Sequence, residues 1–421
     1  MKKRQKIMVM LMCMVLEGIL LLNFTGCSVK IQAADLMQNV EANAVEGKPS
    51  DDAFLQACAD FAVKLFKNSA DPEKNSLISP LSVMLALAMT ANGADTQTKT
   101  EMETLLGGTI PLEDLNGYLY TYVQQLPSEK KYKLEIANSI WFRNDEERLK
   151  VNREFLQKNA DYYNAAAYQS DFNKQTLADI NHWVKDKTDG MIDKIVDEID
   201  PSTVMYLINA LVFDAEWDRV YTKGEVINGD FTAQNGAVRS VKMMCSAETK
   251  YLRDENAIGF IKNYKDGKYS FAALLPNEKI SVGDYIASLS GTRLLSMLSD
   301  AEDAHVTVRL PKFTYDYSVG MNDALKKMGM PTAFSGEKAD FSKLGSASDG
   351  NIYIGDVLHK TFISVDELGT KAGAVTKVEM KAESAMPSGY NVTLDRPFVY
   401  AIIDNSTNLP IFLGAALDIG K

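Results

Sequence analysis

The chain has 421 residues, of which 46% are hydrophobic and 24% are charged, and this composition is that of a globular protein rather than a disordered one. Its 56 acidic and 45 basic residues give a net charge of -11, which argues against general nucleic-acid binding because that function needs a basic face. The same charge disfavours direct contact with an anionic lipid surface.

The first residues predict a secretory leader that is not part of the fold. A basic start at 2–6 precedes an apolar run at 7–22, which is too short for a comfortable membrane span and carries Glu17 near its middle. Cys27, directly after Phe24-Thr25-Gly26, resembles the lipidated cysteine of a bacterial lipobox. That resemblance implies removal of residues 1–26 and diacylation of Cys27. The alternative is an ordinary signal peptide followed by an incidental cysteine.

Residues 27–50 are polar and alanine-rich without a clear period, which predicts a tether between the leader and a folded body. Beyond the leader, two cysteines remain, Cys58 and Cys245, far apart in the sequence. Such a pair is not a disulfide scaffold, so we expect both to be small buried hydrophobic residues.

From Asp51 onwards the pattern becomes that of a folded domain. Apolar residues at helical spacing predict a first helix, and Ser79-Pro80 predicts the start of a second helix, 81–91, apolar enough to lie at the centre of a large domain. Strand-like runs follow at 134–142, 204–213, 270–275, 305–310 and 351–358, with helical stretches at 176–187 and 321–328 and a final hairpin at 398–413. The sequence therefore predicts one α+β domain over residues 51–421, with large, mostly antiparallel sheets.

No motif in the chain indicates catalysis or metal binding. The three histidines, His182, His305 and His359, lie in no metal-ligand spacing, and no Walker loop or Gly-x-Ser-x-Gly elbow occurs. We expect no enzyme activity, no metal and no cofactor. A catalytic triad assembled from distant residues stays open as a minor alternative.

A strand-like alternation occurs in a segment that is otherwise typical of a loop. The even positions from 370 to 382 are uncharged, whereas five of the odd positions from 371 to 383 are charged. Gly369 before the segment and Pro387-Ser388-Gly389 after it indicate a loop. The pattern fits either a permanent half-buried edge strand or a loop that inserts as a strand with one buried face.

An ordered set of segments resembles the serpin family over residues 51–421. The set consists of Asn75-Ser-Leu-Ile-Ser-Pro-Leu-Ser-Val-Met84, Ala137-Asn-Ser-Ile-Trp-Phe142, Ile180-Asn-His-Trp-Val184, Leu207-Ile-Asn-Ala-Leu-Val-Phe213 with Trp217, Asp366-Glu-Leu-Gly-Thr370 and Arg396-Pro-Phe398. The resemblance implies a large mixed β-sheet A, sheets B and C, about eight or nine helices and an exposed reactive-centre loop at about 367–396.

The resemblance also assigns roles to particular residues, all of them structural or gating. The hinge of the loop is expected to consist of Glu367, Gly369, Thr370, Ala372, Ala374 and Thr376. The polar shutter under the main sheet is expected to consist of Ser79, Ser82, Asn209 and His359. Trp217 falls at the breach, where the loop first enters the sheet. His359, taken alone, is more typical of a structural histidine than of a catalytic one.

The family's usual hinge length leads from Glu367 to a reactive bond between Glu383 and Ser384. Counting back from Pro397 leads instead to Met386, whose bond to Pro387 is a poor protease substrate. Lys381, Ala382 and Ala385 are further alternatives, and the choice decides the target. Glu383 suits a glutamyl-specific protease, the alanines suit elastase-like enzymes and Lys381 suits a trypsin-like one.

These observations predict an exported inhibitor that traps serine proteases, with cysteine proteases as a further target class. The alternative is a non-inhibitory serpin-like scaffold lipoprotein whose loop is cut without trapping. We expect a monomer at the cell surface or outside the cell, without nucleic-acid partners and in contact with membrane only through a lipid anchor at Cys27.

Overall fold

The structure is a computed structural model that describes residues 31–126, 132–144, 149–200, 203–348, 350–370 and 389–420. Within these residues there are nine α-helices. They are α1 (Asp52–Ser69), α2 (Pro80–Ala91), α3 (Thr96–Gly107), α4 (Leu112–Gln125), α5 (Arg153–Tyr163), α6 (Lys174–Lys187), α7 (Val282–Ser288), α8 (Gly291–Ser299) and α9 (Asn322–Met328).

The same residues contain eighteen strands. They are β1 (Ala34–Asp35), β2 (Ser76–Ile78), β3 (Tyr132–Arg143), β4 (Leu149–Val151), β5 (Ala166–Ser170), β6 (Met205–Glu216), β7 (Val226–Thr232), β8 (Val238–Arg253), β9 (Ala257–Asn263), β10 (Tyr269–Pro276), β11 (Glu302–Pro311), β12 (Phe313–Gly320), β13 (Gly345–Ala347), β14 (Asp356–Val365), β15 (Gly369–Thr370), β16 (Tyr390–Thr393), β17 (Phe398–Asp404) and β18 (Pro410–Ala416).

Two large sheets organise the described chain, and the predicted α+β fold is confirmed. Sheet A has seven strands in the order β1-β5-β3-β6-β15-β14-β12. A nine-stranded sheet has the order β16-β11-β8-β9-β10-β17-β18-β2, with β7 also paired to β8. The long strand β8 joins the predicted sheets B and C, because its first half pairs with β7 and its second half with β9.

Helix α2 occupies the centre of the core, as its sequence predicts. The Ser79 side chain accepts a hydrogen bond from the backbone N–H of Ser82, and Pro80 opens the first turn. Every residue of α2 is buried, which matches a helix that is apolar on all sides.

One predicted strand was displaced along the chain. The run 351–358 was expected to be a strand, but the strand begins at Asp356 and continues to Val365. Residues before it bond elsewhere: the N–H of Ile354 donates to Ala333 and the N–H of Gly355 donates to Met205. Alternate residues of β14 are buried, and His359 is one of them.

Part of the predicted tether lies against the body. Strand β1 pairs with β5, and the N–H of Ala33 donates a 2.8 Å hydrogen bond to the buried carboxylate of Asp179 on α6. Leu36, Met37 and Val40 pack against the hydrophobic core. The predicted boundaries at residues 26 and 50 stay predictions, but residues 33–40 lie against the body because contact with the core removes the apolar side chains of Leu36, Met37 and Val40 from water.

Candidate functional site at the hinge of the loop

Sheet A has an interruption at its centre, between β6 and β14. These two strands pair in parallel only where residues 356–359 meet residues 206–209. At the other end of β6 the short strand β15 lies between them, with Thr370 paired to Ala215 on one side and to Val365 on the other. Thr370, the last described residue before the predicted loop, therefore already lies in a central strand of sheet A.

The two residues of β15 fit this position closely. A Cβ atom on Gly369 would lie 2.0 Å from the carbonyl oxygen of Ala215, so only glycine allows the strands to approach. Thr370 is buried, and its hydroxyl is hydrogen-bonded to the hydroxyl of Tyr264. Burial raises the pKa of Tyr264, so this phenol stays protonated.

The turn that joins β14 to β15, Asp366–Gly369, is here named the hinge turn. The N–H of Asp366 donates to the carbonyl of Gly369 at 3.0 Å, and the Asp366 carboxylate accepts from the N–H of Leu368 at 2.8 Å. Such a side-chain bond to the backbone two residues on stabilises a tight turn. The hairpin needed to begin a new strand is thus formed.

Trp217 and Tyr221 bind three successive carbonyls of this turn. The indole Nε1 of Trp217 donates to Asp366 at 2.8 Å, and its backbone N–H donates to Leu368 at 2.8 Å. The backbone N–H of Tyr221 donates to Glu367 at 2.9 Å. Trp217, which was assigned to the breach, is therefore hydrogen-bonded directly to the hinge turn, and Tyr221 adds a bond to Glu367.

The other side of the hinge is held by charge and by aromatic packing. The Glu367 carboxylate forms an ion pair with Lys312, and the hydrogen bond from Lys312 lowers the pKa of that carboxyl. The ring of Trp217 is stacked on Tyr264, with centroids 4.5 Å apart and planes within 8°. Tyr264 thereby links the breach tryptophan to Thr370.

The four residues assigned to the shutter lie together where β6 and β14 meet. The N–H of Ser79 donates to His359 Nε2 at 3.0 Å, and Ser79 Oγ accepts from the N–H of Ser82 at 3.3 Å. Asn209 is the register partner of His359 across the β6–β14 ladder. Asn138, which sequence reasoning did not assign, joins the group because it pairs with Asn209 and accepts from Ser82 Oγ at 3.4 Å.

Some polar atoms of the shutter are buried without a partner among the described residues. They are Oδ1 and Nδ2 of Asn209 and Nδ1 of His359. Buried polar groups are usually hydrogen-bonded, and leaving one unpaired costs about 1–3 kcal/mol. This point of sheet A can therefore accept an additional polar group.

Burial lowers the pKa of His359 from 6.5 to about 3. The unfolded chain then binds one more proton than the folded chain between these values, so this group's contribution to stability is complete above about pH 6.5 and is lost as the pH falls towards 3. As the pH falls through this range, protonation of His359 in the unfolded chain should lower the free energy of unfolding by about 1.4 kcal/mol per pH unit. Urea unfolding between pH 7.5 and 4.5 should show a flatter profile for His359→Gln, and an equal slope in both proteins would contradict this.

Several assigned residues lie outside the described part of the chain. They are Cys27, Ala372, Ala374, Thr376, Lys381, Ala382, Glu383, Ser384, Ala385 and Met386. Among the described residues, no group of three or more His, Cys, Asp or Glu side chains could hold a metal ion. No helix in that part of the chain is long and apolar enough to cross a membrane. Cys58 is buried and Cys245 partly buried, and neither forms a disulfide.

The family profile described as Serpin (serine protease inhibitor) matches residues 56–419. The chain belongs to the serpin family. An uncharacterized serpin-like protein of Thermococcus kodakarensis is 29% identical over 375 residues, which are 86% of this chain and 85% of that protein.

Solved serpin structures show which state this serpin resembles. The native state of tengpin, a thermophilic serpin, is 54% identical, with a TM-score of 0.90 over 92% of this chain and 100% of that chain. The latent state of tengpin is 53% identical, with a TM-score of 0.79 over 89% of this chain and 100% of that one. The structure described here is thus more similar to the native state.

Proposed function

We propose that this serpin is a suicide inhibitor of serine proteases, and of cysteine proteases as a further class, whose loop inserts into sheet A after it is cut. The observation that carries the proposal is β15, which lies as a two-residue central strand between β6 and β14 with the hinge turn already formed. A strand begun at one end of a gap needs only the release of the rest of the loop to extend.

The register of β15 predicts where the following residues would go. Thr370 opposes Ala215 and Val365 in antiparallel pairs. On insertion, each later residue would therefore oppose the residue one position earlier on β6 and on β14. Ala372 would then lie between Phe213 and Ile363. Its small side chain fits between strands whose facing residues are already buried.

The same register brings Thr376 level with both Asn209 and His359. Counting six places from Thr370 leads to Asn209 on β6 and to His359 on β14, which are themselves register partners. A threonine hydroxyl can both donate and accept, so it could satisfy the buried atoms of the shutter that lack a partner. The polar residue Thr376 of the inserting strand would thus lie beside the polar residues Asn209 and His359 of the sheet.

The chemistry would be supplied by the target protease. Its nucleophile attacks the carbonyl carbon of Glu383, the bond to Ser384 breaks, and the new amino group of Ser384 leaves as the acyl-enzyme forms. Insertion of the freed strand would then carry the attached protease along sheet A before water hydrolyses the ester. The Glu383–Ser384 bond favours a glutamyl-specific protease, with elastase-like and trypsin-like enzymes as the alternatives.

The second candidate is a non-inhibitory serpin whose loop is cut without trapping. The alternation from Thr370 to Ala382 favours inhibition, because a scaffold does not need a strand pattern in its exposed loop. Residues 27–421 should therefore be incubated with elastase-like, trypsin-like and glutamyl-specific proteases and examined on denaturing gels. We expect a detergent-stable complex of the summed masses and a C-terminal fragment whose mass locates the cut bond. Cleavage by every protease without a complex would establish the alternative.

We also propose that the protein is exported as a monomer and anchored at the cell surface through Cys27. When the full chain is expressed in a bacterial host, we expect it in the membrane fraction, labelled with palmitate. Cys27→Ser should abolish the label and release the protein, because acyl chains supply the membrane affinity. Cys58→Ser is the matched control and should change neither result. An unlabelled wild-type protein would support the ordinary signal peptide instead.

A further inference from the structure

Lys262 is a buried basic side chain that has no part in the proposed insertion of the loop. It lies on β9 and is 2% exposed. Burial of an ammonium group costs several kcal/mol unless it is paired, and an apolar residue of similar size often fills such a site at lower cost. The groups around Lys262 show what compensates this cost and what the charge contacts.

Glu248 on β8 supplies the opposite charge. Its Oε1 lies 2.8 Å from the Lys262 ammonium and also accepts a 2.6 Å hydrogen bond from Ser246 Oγ. The hydroxyls of Ser246 and Tyr221 are 3.2 Å apart. The carboxylate is therefore held from two sides, and its network reaches Tyr221.

The ammonium also lies against two aromatic rings. It is 4.6 Å from the ring centroid of Tyr221 and 5.4 Å from that of Trp217. Both distances are within the range of cation–π attraction, which is strongest at desolvated sites. Trp217 and Tyr221 are the two residues that bind the carbonyls of Asp366, Glu367 and Leu368. One charge thus contacts both anchors of the hinge turn.

We propose that Lys262, paired with Glu248, is a positioning residue that holds Trp217 and Tyr221, and through them the hinge turn, in the geometry from which the loop inserts. Trp217 and Tyr221 bond different carbonyls of the turn, and the Lys262 ammonium lies against the rings of both residues. The consequence for trapping rests on the proposed function, because trapping requires insertion to be faster than hydrolysis of the acyl-enzyme.

The positioning itself is tested by hydrogen exchange on the intact protein. Lys262→Met removes the charge and keeps the length of the side chain. We expect the amides of Trp217 and Tyr221 to exchange roughly tenfold faster, as the loss of a buried cation–π contact implies, with amides of β17 unchanged. If this variant does not fold, Lys262→Met/Glu248→Gln removes both charges together and should show the same loss. Unchanged protection of both amides in a folded variant would overturn the inference.

The consequence is tested by the stoichiometry of inhibition, which reports the competition between insertion and hydrolysis. With one protease throughout, we expect Lys262→Met to raise the number of inhibitor molecules consumed per trapped protease by roughly threefold to tenfold. Arg293→Met is the matched control, because it breaks a partly buried ion pair with Asp254, which precedes the far end of β9. This control should trap as the wild type does.

The two readouts separate failure of this inference from failure of the proposed function. If the wild-type serpin traps a protease and Lys262→Met traps it with the same stoichiometry, the inference is overturned and the proposed function stands. If the wild-type serpin traps no protease, the proposed function fails, and the exchange of the Trp217 and Tyr221 amides alone decides whether Lys262 positions the hinge turn.

Discussion

Cutting the loop of the intact serpin with a metalloprotease should raise the midpoint of thermal unfolding by about 20 °C or more. A metalloprotease forms no acyl-enzyme, so the freed strand can insert without an attached partner. In the register of β15, residues 371–379 would gain ladder hydrogen bonds to β6 and β14 once the parallel β6–β14 pairs at 206–209 and 356–359 have separated. At about 1 kcal/mol for each residue inserted, the gain is comparable to the whole stability of a typical domain.

The measurement is differential scanning calorimetry before and after complete cleavage, with the cut located by mass spectrometry. Gly369→Val is the matched control, because a side chain at this position would clash with the carbonyl oxygen of Ala215 and should keep β15, and any strand continuing from it, out of the sheet before and after cleavage. The variant should be cut equally well but gain little stability. A wild-type midpoint that does not change on cleavage would mean that the loop remains outside the sheet and would contradict the proposed mechanism.

The order of helices and strands could be predicted from sequence because most elements carry their own periodicity. Helix α2 is apolar on all sides, and its Ser79-Pro80 start is visible in the chain itself. The final hairpin β17–β18 is likewise a local pattern of two apolar runs around a polar turn. Elements whose core-facing residues are apolar were therefore placed within a few residues of their observed bounds.

Strand β14 was misplaced because two of its buried residues are polar. His359 and Thr361 face the core, where the Thr361 hydroxyl donates to the carbonyl of Leu77 and His359 accepts from the N–H of Ser79. Each partner is more than 200 residues away in the sequence. These two polar residues interrupt the alternation of apolar and polar residues that indicates a half-buried strand. Only the distant hydrogen bonds show that both residues face the core.

In the candidate site too, residues that are defined by long-range contacts could not be predicted from the sequence. The resemblance to the family placed Trp217 at the breach and Asn209 in the shutter, but it did not assign Asn138 or Lys262. Asn138 becomes visible only through its register with Asn209, and Lys262 only through Glu248 and the two rings it contacts. A lysine in a strand is ordinarily exposed, so nothing in the local sequence indicates that this one is buried.

Thr370→Arg should convert the inhibitor into a substrate. Thr370 is buried with its hydroxyl on Tyr264, and it begins the strand that must enter the sheet. An arginine buried there would lack a partner, at a cost of several kcal/mol, so it should displace β15 from the sheet and leave insertion without a starting strand. We expect the loop to be cut at the wild-type rate, but the number of inhibitor molecules consumed per trapped protease to rise by at least about tenfold.

Lys371→Glu is the matched control for this prediction. It reverses a charge at the next residue, which the alternation from 370 to 382 assigns to the outward side of the inserted strand. This variant should trap the protease as the wild type does, because no charge has to leave water. Both variants are compared by circular dichroism for folding and by denaturing gels for the covalent complex. If Thr370→Arg retained stoichiometric trapping, insertion of this face of the loop into sheet A would not be the mechanism.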